Sequence, residues 1–202
     1  MKTQLEQYVT AMLPNAPRIL GVQLLPLSIG AIIHMKNLDL SLKRLFGEEN
    51  NSVYDEMLYF MLKVAICSRT YSEYILFANN EEAAMSWFNE WSNKLCKNKK
   101  KLNVALELVK FKEYIEKGMV TPDYWIKDDI ENDNPSGASW IQNILQNLTR
   151  ENSRYSEAEL LDMPLPKVLS DHFKLMESNN IVQLKTDYEM EMEEDAMKKV
   201  EV

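Results

Sequence analysis

Two histidines, two cysteines and five glycines are all that the 202 residues hold of those types, and each scarcity closes off a class of chemistry. A metal site draws several His, Cys or carboxylate ligands together. His34 and His172 are far apart in sequence, and neither stands in His-Glu-x-x-His, Glu-x-x-His or Cys-x-x-Cys spacing, so no metal is expected. Cys67 and Cys96 form no close pair and read as small apolar packing residues on helices, which fits a reduced compartment and a cytosolic protein. With so few glycines a phosphate cradle is hard to build. No Gly-x-Gly-x-x-Gly, Walker or Gly-x-Ser-x-Gly sequence occurs, and no cofactor is expected. Few glycines and only seven prolines also argue against the turn-rich all-β classes.

Positive charge is scarce as well. The formal net charge is -8. From 187 to the end, seven acids face two lysines, so most of the excess sits there and the rest of the chain is nearly balanced. A general nucleic-acid binder needs net positive surface to displace counterions from phosphates, and this chain lacks it. The local exception is Lys94, Lys97, Lys99, Lys100 and Lys101, five lysines in eight positions. They read as a solvated junction between two helices, with phosphate binding as the alternative.

No long unbroken hydrophobic run exists either. Between Arg18 and Lys36 nothing carries a formal charge if His34 is neutral, but Gly21, Gln23, Pro26, Ser28, Gly30 and His34 interrupt the stretch, so it reads as core and not as a membrane span. Gly21 and Pro26 break it into an extended piece from Ile19 to Leu25, and Ser28 is placed to start a helix carrying Ile29, Ile32 and Ile33. The N-terminal residues place no apolar core directly after their charge, as a secretory signal would.

What is present is helical periodicity. Apolar residues make up 46% of the chain, enough for a real core. The spacing predicts a short helix over 3–12, a turn of helix over 39–46, and a core helix over 53–65 that Ser52 is placed to cap. Shorter helices follow at 71–78 and beyond Asn80, then one over 102–117 with Leu102, Ala105, Leu106, Val109 and Ile115 mostly inward. Residues 119–138 are acidic and turn-rich and predict a long exposed loop. Asp128 to Asp133 lacks the central glycine and closing glutamate of a calcium loop. Asn134 or Ser136 restarts a helix with Trp140, Ile144, Leu145 and Leu148 on its buried side. Ser156 and Glu159 stand in capping-box spacing, and 166–178 reads as the last core helix. Together these predict an all-α domain over 1–185, with a minor hairpin near 19–25 and a flexible acidic tail over 186–202.

One stripe invites a functional reading. Ala84, Trp87, Phe88, Trp91 and Leu95 share a helical face, and Trp87, Phe88 and Trp91 suit a groove for an amphipathic segment of another protein. The twelve methionines, among them Met57, Met61, Met85, Met163 and Met176, suit adaptable contacts, although each serves equally in an ordinary core. No catalytic signature accompanies them. An enzyme would need carboxylates such as Glu56 or Glu107 to converge in a pocket.

The order of several segments resembles small helical tail-assembly-chaperone-like proteins of tailed bacteriophages and prophages. The segments are Arg18-Ile-Leu-Gly-Val-Gln-Leu-Leu-Pro-Leu-Ser-Ile-Gly30 entering a helix, Val64-Ala-Ile-Cys-Ser-Arg-Thr-Tyr-Ser-Glu-Tyr74, Phe111-Lys-Glu-Tyr-Ile-Glu-Lys-Gly118 before a loop and the Trp140 helix, and Asp162-Met-Pro-Leu-Pro166. In the first helix the chain departs from that pattern, with Ala31 and Ile32 where His or Arg would stand. The resemblance implies a non-enzymatic host-cytoplasmic protein that binds other tail components such as tape-measure or tail-tube subunits; the charge balance and the interrupted apolar run are what argue against nucleic acid and membrane as partners. A subunit retained in the virion, or a host-directed regulator using the lysine run, is the alternative.

Overall fold

The computed structural model describes residues 17–46, 53–97, 103–126, 139–150 and 155–200. Among them the chain is mainly helical, as its periodicity implies, with nine helices and two small antiparallel strand pairs. The expected helix over 3–12 and the Ser52 cap lie outside the described residues. Of the described residues, those from 17 to 118 form one compact unit and those from Met119 onward a second. No described helix is long and apolar enough to cross a membrane.

The first unit opens with the expected hairpin. Strands β1 (Arg18–Ile19) and β2 (Val22–Gln23) pair with Arg18 opposite Gln23 and Ile19 opposite Val22. The two residues between them, Leu20 and Gly21, both have positive φ, 50° and 79°. Two left-handed residues match the twist of a tight hairpin. Glycine adopts that conformation freely, whereas a residue with a β-carbon gives up roughly 1–2 kcal/mol. Leu20 has compensation: its side chain is buried, and its amide donates to Glu107 Oε2 at 2.6 Å.

Ser28 then starts helix α1 (Ile29–Phe46), its Oγ accepting from the Ala31 amide at 3.2 Å. The separate turn expected over 39–46 is the end of this same helix, because neither glycine nor proline follows Gly30 within it. Helix α2 (Val53–Cys67) buries Phe60, Met61, Val64, Ala65 and Ile66. Its terminal carbonyl, on Cys67, has no partner within the helix and accepts from the Leu25 amide at 2.8 Å. Helices α3 (Tyr71–Ala78) and α4 (Glu81–Lys97) form an adjacent pair.

Helix α5 (Val104–Gly118) turns a different face inward from the one its apolar residues predict. Glu107, Phe111, Tyr114 and Gly118 are buried, while Leu106 and Val109 are about half exposed. The inward stripe contains an acid, which is why an apolar count misplaces it. Tyr114 donates its hydroxyl to the Leu25 carbonyl at 2.9 Å. At Gly118 an added β-carbon would lie 2.6 Å from Leu27 Cβ, so the chain passes there only as glycine.

In the second unit the loop expected over 119–138 contains strand β3 (Tyr124–Ile126), and the calcium-loop stretch lies outside the described residues. Strand β3 pairs with β4 (Val182–Leu184), placing Trp125 opposite Gln183. Helix α6 (Trp140–Arg150) starts at Ser139, whose Oγ accepts from Gln142 N at 3.3 Å, and buries Ile141, Ile144 and Leu148. Trp140 stays 37% exposed. Helix α7 (Glu157–Asp162) carries the anticipated reciprocal cap between Ser156 and Glu159, and α8 (Leu165–Ser178) buries Leu165, Val168, Leu169 and Phe173.

The stretch read as tail forms helix α9 (Asp187–Val200). Thr186 and Glu189 cap it reciprocally, at 2.8 Å for Thr186 N to Glu189 Oε2 and 3.3 Å for Glu189 N to Thr186 Oγ1. Lys185 Nζ donates to both oxygens of Glu193 at 2.8 and 2.9 Å, and Met190 is buried.

Candidate functional site

The α2–α3 corner is where aromatic chemistry collects. Ser68-Arg69-Thr70 ends α2, and Thr70 starts α3 through a reciprocal cap with Glu73. Arg69 folds back onto the end of α2, donating from Nη1 to the Ala65 carbonyl at 2.9 Å and to Ser68 Oγ at 3.0 Å. Its guanidinium then lies over the Phe77 ring, 4.0 Å from the centroid, and 5.2 Å from the Trp87 ring. A cation there is attracted by the negative face of each ring. Burial lowers the Arg69 pKa, with Glu73 and Tyr74 opposing that shift.

From this centre a row of rings runs in both directions. His34 on α1 stacks on Tyr71, with centroids 4.5 Å apart and planes inclined at 21°, and lies 4.6 Å from the Tyr74 ring. Tyr74 leads to Phe77 at 6.1 Å, and Phe77 meets Trp87 edge-on at 5.8 Å. On α4, Trp87 contacts Phe88 at 5.1 Å and Trp91 at 5.8 Å. The Trp91 indole reaches the hairpin turn, where a β-carbon on Gly21 would sit 3.4 Å from it. Asn80 joins the two helices by capping α4, its Oδ1 accepting from Ala83 N at 3.0 Å.

This row stays open on one side. None of the described side chains of α3 or α4 is buried, and Leu76 and Met85 are 71% and 55% exposed. Trp87, Phe88 and Trp91 are half-buried. Sequence spacing therefore found one helix of the surface. It missed Arg69, Tyr71, Tyr74 and Phe77, for which the recurrence of rings at 71, 74 and 77 was an available signal, and His34, which joins only through tertiary packing.

The other sequence candidates fall elsewhere. Lys94 and Lys97 close α4, and Lys99, Lys100 and Lys101 lie outside the described residues. Glu107 is committed to Leu20 and to Lys110 Nζ at 2.7 Å, while Glu56 is exposed on α2. No metal-holding group of three His, Cys, Asp or Glu occurs among the described residues. In the second unit Lys167 Nζ donates to Asp171 Oδ2 at 2.7 Å and to the Tyr155 hydroxyl at 3.0 Å, and that hydroxyl donates to the same Asp171 oxygen at 2.9 Å. Burial works against the Lys167 charge, but the bonds to Asp171 and Tyr155 outweigh it and raise its pKa. The triangle closes on itself and ties the start of α7 to α8.

No family model, no curated protein and no solved structure matches the chain.

Proposed function

We propose that this chain binds an apolar helical segment of another protein on the α3–α4 surface, as a non-enzymatic assembly factor of a phage tail. The observation that carries the binding role is the half-open aromatic row from His34 on α1 to Trp91, most of it on α3 and α4, where none of the described side chains is buried. A surface helix of a folded domain ordinarily buries its apolar stripe, and a stripe left half open is the form in which helix-in-groove recognition works. Large rings centred on a guanidinium are also the residue types that dominate binding energy at interfaces. The tail-assembly assignment rests on the segment resemblance, and it makes tape-measure or tube subunits the partners.

The test is to recover the tagged full chain from cells expressing its native gene neighbourhood and identify co-purifying chains by mass spectrometry. Recovery of a tape-measure or tube chain, lost in Trp87→Ala, supports the reading. Recovery of nucleic acid or an unrelated host protein, with no tail component, overturns it.

A further inference from the structure

We draw no further inference here: the strongest candidate, the outer edge of strand β3 with the exposed rings of Tyr124 and Trp125, carries nothing because nothing in the structure shows what covers it.

Discussion

The amide of Leu20 and the carboxylate of Glu107 meet at 2.6 Å across 87 positions of sequence, both buried. This bond fastens a left-handed leucine to α5, and Lys110 balances the charge from the other carboxylate oxygen. Glu107→Ala leaves a buried amide without an acceptor, and a loss of about 2–3 kcal/mol is expected in urea unfolding. Glu107→Gln keeps an acceptor but not the charge, and is expected to cost less.

Gly118→Ala runs against the usual rule for helices. Replacing glycine by alanine inside a helix ordinarily adds up to about 1 kcal/mol. At Gly118 the new methyl would lie 2.6 Å from Leu27 Cβ and 2.7 Å from one of its methyls. A β-carbon cannot swing away, so backbone must move, and a net loss of roughly 1–3 kcal/mol is expected in thermal unfolding.

The Cys67 thiol is expected to be inert. Burial pushes its pKa up to about 12, although the neighbouring Tyr114 hydroxyl and the charge of Lys63 work the other way. The thiolate is the reactive form. In a Cys96→Ser background, a disulfide reagent at pH 8 should label Cys67 only when denaturant is added. Because the folded value is raised, the associated stability is fully present below the ordinary 9.0 and is lost as pH rises toward about 12.

His172 titrates with the opposite sign. Its Nδ1 is buried without a hydrogen-bond partner, and burial lowers its pKa below the ordinary 6.5. A lowered histidine favours folding above 6.5 and loses that contribution as pH falls through its folded value. Nuclear magnetic resonance titration should place the His172 pKa below the ordinary 6.5, and the urea midpoint should fall between pH 7 and pH 5 less steeply in His172→Gln than in the parent chain.

Much of this fold was legible wherever the information is local. The hairpin near 19–25, Ser28 before Ile29, and Ser156 three residues before Glu159 each depend on near neighbours, and each forms, although the position of the hairpin's turn at Leu20-Gly21 was not read from the sequence. The facing of α5 was not legible, because its inward stripe includes Glu107 and that acid finds its partner in the hairpin. Helix α9 was hidden by its acidity. Thr186 and Glu189 spell the same cap as Ser156 and Glu159, but the run of acids beyond them reads as solvated chain. For the candidate surface, Trp87, Phe88 and Trp91 show at i, i+1 and i+4. Arg69 and His34 acquire their places only when α1, α3 and α4 come together.

The pairing of Tyr124–Ile126 with Val182–Leu184 sets an order of events for a growing polypeptide. While Tyr124 emerges from the ribosome its strand has no mate, and it waits through the synthesis of α6, α7 and α8. Closing so long a loop carries an entropy cost that short-range helices do not face, so this ladder is expected to form late and to limit the refolding rate of its unit. The unit that ends at Gly118 needs no such wait, since every residue of its hairpin and of α5 has left the ribosome before Val182 is made.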